Sequence, residues 1–272
     1  MALNPKWPWT PDILDAMPEA LAELYRDLEL LLLKEIADRL RISDQLNEVT
    51  IQDMRVLRSH GIPQELINRE IEKTVNISHE HLNELFDDVI ERNQVYYRQL
   101  ITITKVTEPE RLVDMSDIEA IRRQTWSAMK NISGSMGFLV SKSGRLEFMP
   151  PAKAYENAID KAIIQVQSGA ISYNQAINNA TRELADSGLK TVYYEPKSEG
   201  GKAHYDQVDV ATRRAIVTAV TQINSRYAEQ SMEYLNTDYV EVSAHAGARD
   251  IPGPKGWEAH TEWQGRCFKW NK

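Results

Sequence analysis

The sequence predicts a mainly α protein, with a multi-helix N-terminal part over residues 1–188 and a small α+β C-terminal module over residues 189–272. Three observations predict it. Apolar residues recur at steps of three and four through most of the first part, which places them on one face of successive helices. Capping residues and glycine stops punctuate those stretches. From Leu189 onward the pattern changes to short β-branched and aromatic runs, which suit strands.

Residues 1–10 form an N-terminal arm kept extended by Pro5 and Pro8. Its Trp7 and Trp9 are expected to pack back on their own domain, with docking on something else as the alternative. Thr10-Pro11 opens a helix, with Thr10 as N-cap, expected to run to about Asp44. Along it Leu14, Met17, Leu21, Leu24, Leu28 and Leu31 alternate steps of three and four, a seam for a neighbouring helix. That neighbour is a helix of the same bundle or, alternatively, of another subunit. Thr50-Ile-Gln-Asp53 starts a short helix that Gly61-Ile-Pro63 ends. Residues 77–103 read as one long helix, with Leu82, Leu85, Phe86, Val89 and Ile90 on one face.

Ser116-Asp-Ile-Glu119 has the spacing of a capping box, in which serine accepts from the third backbone N–H and glutamate reaches back. It opens a helix ending near Gly134, and Ser133-Gly-Ser-Met-Gly137 reads as a turn. Pro150-Pro151 marks a break, a helix over about 152–167 follows, and Gly169 closes it. Ser172-Tyr-Asn-Gln175 is a second capping box, for a helix that stops at Gly188. Thr191-Val-Tyr-Tyr194 reads as a strand, 195–202 as a hairpin loop and 203–208 as the returning strand. Asp209 then caps a long helix to about Asn236, with Val217, Val220, Ile223 and Tyr227 on its buried face. Tyr239-Val-Glu-Val-Ser243 alternates as a half-buried strand does, and residues 244–272 read as mostly ordered loop.

Bulk properties narrow the function. A formal net charge of −8 disfavours generic nucleic-acid binding, because the surface as a whole repels phosphate. Cys267 is the single cysteine, so no intrachain disulfide and no four-thiolate zinc site can form. The longest apolar run, Leu30 to Leu33, is far too short to span a bilayer, and residues 1–10 lack the pattern of a signal peptide.

Chemistry-bearing residues concentrate at the C-terminal end. His245, Arg249, His260, Glu262, Trp263, Gln264, Arg266 and Cys267 fall within a short stretch. A metal site from His245 and His260 with Glu262 or Asp250 is one reading, but two histidines fifteen positions apart across a Gly/Pro-rich loop fix no tetrahedral geometry. A Cys267 nucleophile activated by a histidine is another. The plainer reading has His245 and His260 bonding loop backbone, with Arg249 and Arg266 paired to Glu241, Glu258 or Glu262. Arg213 and Arg214 lie in the first turns of a helix, where positive charge opposes the helix dipole, so Asp206 or Asp209 is the expected compensating partner, with a bound phosphate or carboxylate as the alternative. Ser133–Gly137 lacks the lysine and spacing of a phosphate loop, and no Rossmann, nucleophile-elbow or zinc-protease motif is present.

Three strings resemble the phage minor capsid protein 2 family, which is related to the Mu F-like head morphogenesis proteins. They are Val208-Asp-Val-Ala-Thr-Arg-Arg-Ala-Ile216 with Gln222-Ile-Asn224; Tyr239-Val-Glu-Val-Ser-Ala-His-Ala-Gly-Ala-Arg249; and His260 with Trp263-Gln-Gly-Arg266 and Phe268. The family-motif positions are therefore Arg213, Arg214, Glu241, His245, Gly247, Arg249, His260, Trp263, Gln264, Gly265 and Arg266. The resemblance is specific over roughly the last third of the chain.

The resemblance implies a structural head protein of a tailed phage, present in few copies and acting at or near the portal vertex. Its partners would be the portal protein, the inner capsid surface, or both, with a homo-oligomer around the portal as a further arrangement. The location implied is the virion, with the host cytoplasm during assembly, no membrane in the assembled head, and departure with the genome on ejection. It carries over no catalytic residue, metal or cofactor. Family members usually continue past the Trp-Gln-Gly-Arg segment into a region with further Cys and His, so the sequence is expected to be shortened or a fragment. The alternative is a hydrolase or toxin-like module using His245, His260 and Cys267. DNA contact is the third reading, against which the acidic balance weighs.

Overall fold

The computed structural model describes residues 6–40, 51–61, 64–104, 106–107, 109–142, 144–194, 204–242 and 262–270. The chain is mainly helical, with a small sheet component, as its periodicity predicts. Helices α1 (Pro11–Ala16), α2 (Glu19–Leu40), α3 (Ile51–His60), α4 (Gln64–Thr104) and α5 (Met115–Gly134) come first. Strands β1 (Met136–Lys142) and β2 (Arg145–Met149) follow, then α6 (Pro151–Gln167) and α7 (Tyr173–Ser187). β3 (Lys190–Tyr194), β4 (His204–Gln207), α8 (Val208–Tyr234), β5 (Tyr239–Glu241) and β6 (Cys267–Lys269) complete the order. Two compact units share the chain: residues 1–19, 83–125 and 216–272 form one, and 20–82 with 126–215 form the other. Helices α4, α5 and α8 contribute residues to both.

In the unit of residues 20–82 and 126–215, α2 buries Leu21, Ala22, Tyr25, Leu28, Leu32, Ile36 and Leu40. This stripe keeps the helical period of 3.6, with steps of three and four that average to it. The predicted seam is corrected in two ways. Pro18 has no N–H to donate, and the helix breaks before it, so Leu14 and Met17 belong to α1 and its end. Leu31, placed inward by the alternation from Leu14, is 36% exposed, because the true stripe passes through Tyr25 and Leu32 instead. Tyr25 is buried and shares a 2.9 Å hydrogen bond with Ser133 on α5. Tyr173 on α7 donates to the Leu40 carbonyl at 2.6 Å, tying the end of α2 to α7.

Alanines at 154, 158 and 162 on α6 and at 176 and 180 on α7 are buried, and such small residues let two helices approach closely. Lys161 on α6 bridges both oxygens of Glu183 on α7 at 2.7 Å. Ser172 caps α7 by accepting from the Gln175 N–H, and Gly188 stops it at φ 66°, both as the sequence indicates. Pro151 sits in the first turn of α6, where its missing N–H costs nothing.

The sheet of this unit has four strands in the order β2-β1-β3-β4, all neighbours antiparallel. The β1–β2 hairpin lies in a stretch expected to be helical or turn, and is the largest departure from the sequence reading. Met136 and Gly137 pair with Thr191 and Lys190, so the sheet draws on both sides of residue 188. Gly137 is required there: a Cβ would lie 2.4 Å from the Met149 carbonyl oxygen and 2.7 Å from the Phe148 ring. Phe148 crosses over this glycine and stacks on Tyr205 of β4, centroids 5.1 Å apart.

In the unit of residues 1–19, 83–125 and 216–272, parts of α4, α5 and α8 pack through Phe86, Val89, Tyr97, Ile101, Ile118, Ile121, Val220, Ile223 and Tyr227. Tyr97 stacks on Tyr227 at 6.0 Å. Arg122 lies over the Phe86 ring and pairs with Asp87. The arm docks here: Trp9 is 3% exposed and Trp7 meets Tyr96 edge-on at 5.1 Å. Three expectations need correction. The cap of α5 is Asp114, whose carboxylate accepts from the Ser116 N–H at 2.9 Å, so Ser116 is already inside the helix. Val217 is exposed on α8, while Val220, Ile223 and Tyr227 are buried. The tail contains a strand, β6, which pairs with β5 from Tyr239↔Lys269 to Glu241↔Cys267.

Candidate functional site

The motif string Val208–Ile216 forms the beginning of α8. Val208 donates to the Leu189 carbonyl at 3.1 Å, and Val208, Ala211, Thr212 and Ile216 are buried. Arg213 and Arg214 would load positive charge onto the positive end of the helix dipole. Asp206, at the end of β4, pairs with Arg214 and also takes His204 Nε2 at 3.5 Å. Asp209 favours the helix start by its own charge and pairs with Arg26 of α2 at 3.6 Å.

Glu29 completes the cluster. Burial pushes its carboxyl above the usual glutamate range, and the nearby Asp209 carboxylate adds to the rise. A hydrogen bond from the Leu189 backbone and the Lys190 ammonium oppose it. The cluster thus sets Arg26, Lys190 and Arg214 against Glu29, Asp206 and Asp209. The ion pairs Arg26–Asp209 and Arg214–Asp206 tie α2 to α8 and β4 to α8.

The second motif region is a two-stranded ribbon. Gly265 adopts φ 67°, a left-handed conformation that suits glycine, and its N–H donates to the Val242 carbonyl at 2.8 Å. Arg266 donates to the Trp263 carbonyl at 3.2 Å and accepts from the Val242 N–H at 3.0 Å. Trp263 stacks on Phe268 at 5.2 Å. The Trp263-Gln-Gly-Arg266 segment is therefore a turn that feeds β6 into register with β5. Glu241 stands opposite Cys267 and, after burial, is the second cause raising the Tyr96 phenol. Tyr239, Trp263 and Trp270 expose their rings on this ribbon.

His245, Gly247, Arg249 and His260 lie outside the described residues, as does the proposed convergence of His245 and His260 on Cys267. Cys267 itself is exposed. Among the described residues, no group of three potential metal ligands comes together. Of the seam, Leu21 and Leu28 are buried, Leu14, Met17 and Leu24 are half-buried, and Leu31 is exposed. Sequence reasoning missed a buried polar chain: Trp9 donates to Asn93 Oδ1 at 3.2 Å, and Asn93 Nδ2 donates to Val89 O at 2.8 Å and to Asn224 Oδ1 at 2.7 Å. Its signal is an asparagine on the buried helical face between Val89 and Tyr97.

Helices tied by ion pairs and a ribbon shaped by its turn make up a helix-dominated protein with a small sheet component. The chain belongs to the phage minor capsid protein 2 family, whose pattern matches residues 9–271. The chain is also similar to two curated proteins described as trigger factor, from Mesomycoplasma hyopneumoniae strains J and 232. Each is 27% identical over 188 residues, covering 66% of this chain and 36% of the relative. This chain thus spans about a third of those relatives, and at that identity their name carries no functional argument. No solved structure matches the chain.

Proposed function

We propose that this protein is a structural component of a tailed-phage head that acts at or near the portal vertex and does no catalysis. The observation that carries this reading is the family match over residues 9–271, which takes in the helical part as well as the C-terminal motifs. Its partner is the portal protein or the inner capsid surface, with several copies arranged around the portal. The exposed continuation of the predicted seam, Leu31 with Leu30 beside it, supplies apolar contact area on α2. DNA contact has no comparable support, given the net charge of −8.

Mass spectrometry of purified virions before and after genome ejection tests the location. The expected result is a few copies per particle, falling after ejection; absence from mature virions ends the reading. Co-sedimentation with portal oligomers tests the partner. Leu30→Asp with Leu31→Asp should abolish co-sedimentation while leaving the circular dichroism unchanged, since both side chains are exposed. Undiminished binding removes this face of α2 from the contact.

A further inference from the structure

We propose that the free edge of β2 is a self-association surface, on which a second copy of this chain pairs antiparallel about a two-fold axis through Leu146. β2 is the outermost strand of the sheet. The direction of its backbone groups follows from the neighbouring strand. In β1 the Leu139 N–H donates to Ser187 Oγ at 2.9 Å and the Ser141 N–H to Glu183 Oε1 at 2.8 Å, both on α7. Those amides are directed away from β2, so the pairs Leu139↔Phe148 and Ser141↔Leu146 are the ones without mutual hydrogen bonds. Leu146 and Phe148 therefore turn their own N–H and C=O groups outward.

Two of the sheet's open edges, both in the β1–β2 hairpin, are treated differently. Where β1 continues past its short pairing with β3, α7 side chains cap its amides. The outer edge of β2 has no such cap among the described residues, and Leu146 is 71% exposed. Uncapped edges are templates for another strand.

Charge selects the occupant and the register. The sequence around the axis is Arg145-Leu146-Glu147, which is complementary to itself when reversed. With Leu146 opposite Leu146 of the second copy, each Arg145 faces a Glu147 and the two outward backbone groups of Leu146 meet as a hydrogen-bonded pair. Moving the axis by one residue would set Glu147 against Glu147, which is repulsive. The strand is only five residues long, so the contact is weak in dilute solution and gains from the high local concentration of an assembly.

Sedimentation of the purified chain over a concentration series tests this without any head component, so its outcome is independent of the portal role. The expected result is a reversible monomer–dimer equilibrium that weakens as salt is raised. Arg145→Glu and Glu147→Arg should each weaken the dimer roughly tenfold or more, and the double variant R145E/E147R should restore it. Glu147 also pairs with Lys142 of β1 at 3.6 Å, so hydrogen exchange of the β1 amides is followed in every variant, and rates within the wild-type range show that the hairpin is intact. A strictly monomeric chain overturns the proposal, including the case where the edge receives a strand from a different protein. A dimer indifferent to the charge reversals, or a double variant no better than the singles, also overturns it.

Discussion

Asn93 on α4 and Asn224 on α8 are joined side chain to side chain at 2.7 Å, and the oxygen of Asn93 accepts the indole N–H of Trp9. Asn93 is fully buried, so each of its polar atoms has a partner that water cannot replace. Asn93→Ala should cost about 1–3 kcal/mol, because it orphans the Trp9 donor and the Asn224 acceptor together. Trp9→Phe keeps most of the ring packing and removes one bond, so its cost should be smaller, about 1 kcal/mol. Thermal melts of the two variants check the order; equal stability to wild type would mean that the chain of bonds contributes nothing net.

The hairpin gives a second prediction. Gly137→Ala forces a methyl against the Met149 carbonyl, which is backbone and cannot rotate away. A loss of about 1–3 kcal/mol and faster hydrogen exchange across β1 and β2 are expected. Gly144, at φ 78° with open space around it, should accept asparagine with little loss, since that residue tolerates the left-handed region. The contrast separates a steric requirement from a conformational one.

Glu29 sets a pH dependence. Its carboxyl titrates above the ordinary 4.5, because burial disfavours the charged form, so the folded state holds the proton more tightly than the unfolded chain. That contribution is complete below the unfolded value and is lost as pH rises through the folded value. Glu29→Gln should therefore melt higher than wild type at neutral pH and show no such advantage below about pH 4.5. Melting temperatures across that range decide it; a wild type that is the more stable of the two at pH 7 would mean that the Lys190 attraction outweighs burial.

Asp114 works in the opposite sense. Its carboxyl is held below the usual aspartate range by bonds from the Ser116 backbone and side chain. Its stabilisation is present above the unfolded pKa and lost as pH falls through the folded one. Asp114→Ala should lower the melting temperature at neutral pH, and Asp114→Asn should recover part of it, since the amide oxygen still accepts the Ser116 N–H. Ser116→Ala should matter less than Asp114→Ala if the cap is the aspartate.

The sequence shows most clearly the elements that carry their own punctuation. Ser172 and Gly188 bracket α7, Pro151 opens α6, and Gly61 closes α3 at φ 57°. Arg214 was readable as an ion-pair partner of Asp206 because an uncompensated cation at that helix end is costly. The β1–β2 hairpin was hidden by its own geometry. Leu146 is apolar yet points to solvent, Gly137 contributes no side chain, and so the alternation that marks a half-buried strand is broken. The phase of α2 is not legible from the run of Leu14 to Leu31, because that alternation crosses the break at Pro18 and passes over Tyr25 and Leu32, which carry the buried stripe. The role of Asn93 is not legible in the sequence because its partners, at positions 9 and 224, are distant along the chain.

The interleaving of the two units along the chain governs how the protein can be made and cut. One unit needs residues 1–19, 83–125 and 216–272 together, and the other needs two stretches separated by residues 83–125. Residues 216–272 must be synthesised before the first of these can close, at roughly 5–20 residues per second. Any single cut between residues 19 and 216 divides the unit of residues 1–19, 83–125 and 216–272, so two fragments must reassociate before that unit can close.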